Sequence, residues 1–283
     1  MQFELKNIKK SYRAKEVLTD INLKAGGGEI IAIVGENGCG KSTLFKILLG
    51  LAVQNNGEIV VDDGSIMTGI VEDPCFYPFM TGRENLDCLV DKLDTANLDF
   101  YLKRLEMDEY IDKNVGKYSQ GMKQRLGIVY VLLRNADIMI FDEPTNALDP
   151  LGIETLRDIL STEKQKGKLI LISSHNLYFL DDFADSVYFM IGGKLCKKDE
   201  ELLKRNRTET VEYVFEVTRQ SDAAAILSKA GVSFVISGNK IIINDIKSNV
   251  DNSLNALIPC GIKAFYQNTN LSKEYVKIIK NEK

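Results

Sequence analysis

No apolar run in the 283 residues approaches the roughly 18 needed to cross a bilayer, so a role at a membrane requires a partner chain. The opening stretch, Met1-Gln2-Phe3-Glu4-Leu5-Lys6, lacks the apolar core of a secretory leader. No basic block stands out, and 36 Lys+Arg stand against 40 Asp+Glu, so nucleic acid is not expected as a partner. The five cysteines (Cys39, Cys75, Cys88, Cys196, Cys260) are odd in number and scattered, without metal-ligand spacing. Reduced cytosolic thiols are the expectation. There is one histidine, His175, and no Asn-Lys-x-Asp of the guanine-reading kind. Long repeats and low-complexity tracts are also missing. What is present is an ordinary globular composition, 45% hydrophobic and 27% charged with a net charge of −4, long enough for one large domain and a small one.

Against that plain background one stretch stands out: Gly35-Glu36-Asn37-Gly38-Cys39-Gly40-Lys41-Ser42-Thr43. It follows the apolar run at 30–34 and opens into Leu44-Phe45-Lys46-Ile47-Leu48-Leu49. Strand, glycine turn and helix are the context that G-x-x-x-x-G-K-[ST] requires. Glycines let successive N–H groups curl inward on a phosphate, and the helix N-terminus adds the positive end of its dipole. Gly35, Asn37, Gly38, Cys39, Gly40, Lys41, Ser42 and Thr43 are therefore candidate nucleotide contacts. Lys41 is expected to reach the β- and γ-phosphates, and Ser42 to ligate Mg²⁺. Cys39 sits where a helix dipole lowers a thiol pKa; a small residue that fits the loop is the favoured reading.

The surrounding chain alternates short strands and helices. Residues 2–8 and 17–24 show period-two alternation, with Phe3, Leu5 and Asn7 on one face and a break at Asp20 in the second run. Asn55-Asn56-Gly57 reads as a turn into a strand at 58–61, and 67–72 as a further strand. Thr81-Gly82-Arg83-Glu84 has capping-box spacing and starts a helix to about residue 93, followed by another over 96–107. A helix opens at Ser119, a buried strand covers 137–142, and Pro150 starts a helix to about residue 165. Further strands are expected at 168–172 and, as a hairpin around Gly192-Gly193, at 186–191 and 194–197. This order argues a mainly parallel sheet with helices on both faces. Periodicity lapses at 204–210, and a domain boundary is placed there. Beyond it the order is βαββαβ, with a last helix at 272–279, which fits a small ferredoxin-like α+β unit.

Asp142 and Glu143 close the apolar strand before Pro144. A carboxylate in that place can hold Mg²⁺, and its neighbour can orient an attacking water. Asp142 is assigned to the metal and Glu143 to the general base. His175 follows a strand of the same sheet, where it can hydrogen-bond a γ-phosphate and the base.

Tyr118-Ser119-Gln120-Gly121-Met122 resembles the L-S-G-G-Q signature of ABC transporter nucleotide-binding subunits. It stands between the phosphate loop and the Asp-Glu strand, and Asn146-Ala147-Leu148-Asp149 and Ser174-His175 follow in the family's order. The resemblance covers residues 1 to about 200. It implies a P-loop NTPase of ABC type over 1–207, with a mixed sheet, an antiparallel β subdomain and a helical insertion at about 76–117. The ferredoxin-like unit, 208–283, lies outside that common core. The resemblance also implies two copies meeting head to tail as a homodimer. Each ATP, with Mg²⁺, lies between the phosphate loop of one copy and Ser119 and Gly121 of the other. Asp149 touches the facing copy, Tyr12 stacks on adenine, and a separate membrane permease docks on the ATPase. The expected place is cytoplasmic, peripheral on the inner face of the membrane. Phe76, Tyr77 and Phe79 suit that docking face or, equally, core packing.

Three departures qualify the match. Gln120 and Met122 replace Gly and Gln of the signature, and the C-terminal unit is extra. Glu72 stands where the family has a glutamine that bridges metal and membrane partner; its carboxylate can still reach the metal. The stretches 72–78 and 118–127 are similar to ATPases of bacitracin-resistance and lantibiotic-immunity exporters, which suggests export of a peptide antibiotic or another amphiphile. Two other readings stay open: a weakly hydrolysing nucleotide sensor, with Glu72 as the cause, and an ABC-type ATPase acting on DNA or ribosomes.

Overall fold

The computed structural model describes the chain except residues 14, 92–93, 175–179, 181–182, 198–210, 218, 230–231, 233, 238–239, 246–261 and 269–283. The chain divides into two compact units, Met1–Lys198 and Asp199–Lys283. Among the described residues no helix is long and apolar enough to cross a membrane.

The first unit is built on β1 (Gln2–Tyr12), β2 (Lys15–Gly26), β3 (Ile30–Val34), α1 (Lys41–Leu48), β4 (Asn56–Val61) and β5 (Met67–Ile70). Then come α2 (Gly82–Leu89), α3 (Thr95–Arg104), α4 (Gln120–Leu133), β6 (Ile138–Asp142), α5 (Pro150–Gln165), β7 (Leu169–Ser173), β8 (Ser186–Ile191) and β9 (Lys194–Lys197). One nine-stranded sheet runs β4-β1-β2-β9-β8-β3-β7-β6-β5. The segment β8-β3-β7-β6-β5 is parallel, whereas β4-β1-β2 is antiparallel. The fold is thus mixed, and more antiparallel than strand–helix alternation alone argued. The difference arises because β1 and β2 extend into a long hairpin. All five residues of β3, β6 and β7 are buried, the pattern of parallel strands covered on both faces.

The core explains where the phosphate loop sits. Phe3, Leu5, Ile8, Leu18, Ile21 and Leu23 of the hairpin pack with Ile31 and Ile33 of β3 and with Leu44, Phe45 and Ile47 of α1. The helix after the loop is therefore clamped by both parts of the sheet. One sequence expectation fails here. Asn7 does not join Phe3 and Leu5 on the inner face; it is exposed, with φ at 51°. A register shift between Leu5 and Ile8 carries Ile8 into the core instead. The bulge is held by Asn7 N–H donating to Asn22 Oδ1 at 2.9 Å and by Asn7 Nδ2 donating to Asp20 Oδ1 at 3.0 Å.

The insertion between β5 and β6 carries α2, α3 and α4. Thr81 and Glu84 form the expected capping box on α2. That helix stops at Leu89, short of the expected residue 93. Buried Asn85 fastens the preceding loop: its Nδ2 donates to Tyr77 O (3.1 Å) and Thr81 O (2.8 Å), and its Oδ1 accepts from Tyr77 N (2.8 Å). Tyr77 and Phe79 are left 49% and 72% exposed, and their ring centroids are 6.0 Å apart. Phe76 is half-buried. Core packing is therefore not what holds Tyr77 and Phe79.

The second unit contains β10 (Val211–Val217), α6 (Gln220–Lys229), β11 (Phe234–Ser237), β12 (Lys240–Asp245) and β13 (Ile262–Asn268). They form a four-stranded antiparallel sheet in the order β11-β12-β10-β13. Ala223 and Leu227 of α6 are buried, as are Ile241 and Ile243 of β12. The second helix of the expected βαββαβ order, at about 249–257, and the last, at 272–279, lie outside the described residues.

Candidate functional site

β3 runs directly into the glycine loop. Gly35 and Gly40 have no room for a side chain. A Cβ on Gly35 would stand 2.5 Å from Cys39 Sγ and 2.8 Å from Met190 O, and one on Gly40 would stand 2.8 Å from Leu18 Cδ2. Gly40, with φ at 118°, caps α1 without any side-chain hydrogen bond. The first N–H groups of α1 thus have no competing side-chain acceptor at the cap.

Lys41 is buried. Its ammonium donates to Gly35 O at 2.7 Å and to Glu36 O at 3.3 Å, and it lies 3.7 Å from Glu143 Oε1. Two carbonyls and a carboxylate offset the cost of removing that charge from water.

The acidic pair is set by strand register. Asp142, the last residue of β6, is paired with Ser173, the last of β7. The Ser173 hydroxyl donates to Asp142 Oδ1 at 2.5 Å and accepts from Glu143 N at 2.9 Å. At Glu143 the chain turns out of the strand with φ at 49°. One fully buried hydroxyl therefore orients the metal-side carboxylate and the backbone of the expected base. Ser173→Ala is expected to cost about 1–3 kcal/mol of stability, because it removes a buried partner from both groups. Urea unfolding checks this; Ser173→Thr, which keeps the hydroxyl, should lose less.

These groups meet in a cleft of about 310 Å³. The loop contributes Asn37, Gly38, Gly40, Lys41, Ser42 and Thr43, while Glu72, Asp142 and Glu143 supply carboxylates and Val17 an apolar patch. Oxygen donors of this kind suit a hard divalent cation. Among the described residues no cluster of three or more His, Cys, Asp or Glu side chains is arranged to hold a metal on its own. The donor set fits an ion whose remaining ligands come with a triphosphate.

Other expected residues lie apart from the cleft lining. Ser119 caps α4, its Oγ accepting from Met122 N at 3.3 Å, while its own N–H meets Met122 Sδ at 3.4 Å. Gly121, in the first turn, lies so close to the following loop that a Cβ there would stand 2.5 Å from Ala147 O. Tyr118 is buried beside them and donates to Tyr110 O at 2.8 Å; burial pushes its phenol up to about 12. Asp149 caps α5, accepting from Gly152 N at 2.9 Å and from Arg125 at 3.2 Å. Tyr12 is exposed at the tip of the β1–β2 hairpin, with Lys10 Nζ 4.8 Å from its ring centroid. His175 lies outside the described residues.

Cys39 does not behave as its helix-terminal place suggests. Its side chain packs against the core beneath the loop. Burial pushes the thiol up, and the pull of Lys41 is too small to reverse that. The reading as a small residue that fits is the one the packing supports. Sequence reasoning missed Ser173, although the strand expected at 168–172 stops beside it. It also missed Lys46, whose ammonium meets Glu72 Oε1 at 2.7 Å.

Strand, glycine loop, helix and a facing carboxylate pair define a P-loop nucleotide-binding protein. The family model described as ABC transporter matches residues 18–146. The chain is 34% identical over 206 residues to the lantibiotic transport ATP-binding protein SrtF of Streptococcus pyogenes, covering 70% of this chain and 90% of that one. It is 34% identical over 265 residues to the bacitracin transport ATP-binding protein BcrA of Enterococcus faecalis, covering 87% and 85%. A solved ATP-binding subunit of an ABC transporter superposes with a TM-score of 0.66 at 29% identity, over 72% of this chain and 93% of that one. The chain belongs to the ABC transporter ATP-binding family. It is an ATP-binding subunit of an ABC transporter and an ABC-type ATPase.

Proposed function

We propose that the chain is the motor of an exporter: ATP closes a head-to-tail pair of copies, and hydrolysis reopens it. One observation carries the reading. The cleft gathers loop, Asp142 and Glu143, whereas Ser119 and Gly121 begin a helix that contributes nothing to its lining. A helix N-terminus suited to a phosphate but absent from the phosphate cleft is what a shared site requires. In the closed pair the loop N–H groups and Lys41 hold the β- and γ-phosphates, and Ser119 and the Gly121 N–H of the other copy close on the γ-phosphate. Asp149 meets the facing copy, and Tyr12, backed by Lys10, stacks on adenine. Ser42, Asp142 and Glu72 are the residues that would hold Mg²⁺, which offsets phosphate charge when bound. Glu143 takes the proton of the attacking water, and His175 hydrogen-bonds the γ-phosphate.

The exposed Tyr77–Phe79 pair, in a loop that Asn85 fastens at the Tyr77 backbone, supports a docking face for a separate permease and, with it, a place at the inner surface of the membrane. Relatives named for lantibiotic and bacitracin transport support a peptide antibiotic as cargo. The C-terminal unit, 208–283, is a ferredoxin-like module; its sheet order β11-β12-β10-β13 supports that assignment. Co-purification with a membrane-embedded chain tests the motor reading. Phe79→Asp, at a 72% exposed position, is expected to leave the melting temperature unchanged and abolish that association. Unaltered association in the variant would remove the docking face.

A further inference from the structure

Three of the side chains lining the cleft are carboxylates (Glu72, Asp142, Glu143), against the single ammonium of Lys41. A triphosphate entering there meets a surplus of like charge. Glu72 is the carboxylate that the family's glutamine would not supply. Its backbone is left-handed, with φ at 61°, and its Oε1 accepts from Lys46 Nζ at 2.7 Å. Lys46 lies on α1, five residues beyond Lys41, and is not part of the cleft lining. Its hydrogen bond to the lining is with Glu72.

We propose that Lys46 is a positioning residue: it anchors the Glu72 carboxylate to α1, so that a glutamate can occupy a place beside the triphosphate without its charge swinging onto the phosphates. A role in stability does not account for the contact. Glu72 is 61% exposed and Lys46 32% exposed, and ion pairs so open to water add little. The consequence for the reaction is specific. With Lys46 present, the Glu72 carboxylate is held against α1. Without Lys46, it is free to swing toward the phosphates.

The inference rests on the cleft being the triphosphate site. Binding of metal-free ATP, by calorimetry with a chelator present, isolates the charge effect. The comparison uses the full chain as wild type, Lys46→Met, Glu72→Gln and the double variant, with melting temperatures as the folding control. Lys46→Met is expected to weaken ATP about tenfold, the size of an uncompensated unit charge roughly 10 Å from the phosphates at an effective dielectric near 20. In the Glu72→Gln background, which has no carboxylate to release, the same change should weaken ATP by no more than about threefold, the direct loss of one screened charge. The tenfold loss should also shrink as salt is raised. Equal losses in both backgrounds would mean that Lys46 acts on the nucleotide directly, and an unchanged affinity for Lys46→Met would mean that it does nothing; either result overturns the inference. Absence of ATP binding by the wild type would instead overturn the reading of the cleft.

Discussion

Glu143→Gln is expected to slow ATP hydrolysis by about a hundredfold to ten-thousandfold, the range for loss of a positioned general base, while ATP-driven pairing of two chains persists. The geometry makes the substitution clean. The Glu143 backbone is held by two contacts to Ser173, from its N–H to the carbonyl at 3.2 Å and to the hydroxyl at 2.9 Å, neither of which involves the side chain. An amide of the same shape can stay in the cleft but cannot take a proton from water. The change also removes one carboxylate from an acidic lining, and with it the ion-pair partner 3.7 Å from the Lys41 ammonium. Lys41 is then more available to phosphate, so ATP affinity should hold or rise. The paired, ATP-loaded state should accumulate, visible as a doubled mass by size-exclusion chromatography with light scattering. Hydrolysis at the wild-type rate would move the base elsewhere. Loss of hydrolysis without accumulation of the pair would detach hydrolysis from reopening. Turnover by the wild type that Glu143→Gln stops would also remove the nucleotide-sensor alternative.

The phosphate loop was legible because its chemistry prescribes residue types at fixed spacing: Gly35 and Gly40 where no Cβ fits, and Lys41 and Ser42 at the start of a helix. Asp142 and Glu143 were legible for a similar reason, since an all-apolar run that stops at two acids is a buried strand delivering both carboxylates to one edge of the sheet. What was missed depends on pairings across long stretches of chain. Ser173 matters because the register of β6 against β7 sets it opposite Asp142, and no local pattern shows which strands are neighbours. Lys46 matters because β5 ends at Ile70, sooner than the apolar run suggested, and leaves Glu72 in a turn within reach of α1. Asn7 was misplaced because a period of two cannot register an added residue in one strand. Cys39 shows the same limit in electrostatics: its place at a helix start could be read, but the burial that outweighs the dipole could not.

Gly121→Ala should fold, bind ATP in the cleft and fail to pair. Gly121 lies within α4 and has no left-handed backbone, so alanine brings no strain of its own; helix propensity favours it by about 0.8–1.0 kcal/mol. Space decides otherwise. The new Cβ would stand 2.5 Å from the Ala147 carbonyl, a backbone atom that cannot rotate away. The loop carrying it is a tight double turn, closed by Asn146 N–H to Glu143 O at 3.1 Å and Leu148 N–H to Thr145 O at 3.2 Å, with Ala147 itself at φ 63°. Overpacking against such a surface costs about 1–3 kcal/mol, more than the propensity returns. The strain is relieved by shifting either the first turn of α4, which carries Ser119, or the loop that delivers Asp149. Both belong to the face proposed to close on the other copy, and neither lines the cleft. If closure bears that displacement, turnover should fall about 10- to 100-fold. ATP binding by a single chain should stay near wild type. Gly121→Val, with more atoms in the same space, should lose more. Calorimetry for binding, light scattering for pairing and steady-state turnover separate the three quantities. Wild-type pairing and turnover in Gly121→Ala would show that the contact between α4 and the Ala147 loop does not govern closure, and that the two halves of the site approach by another surface.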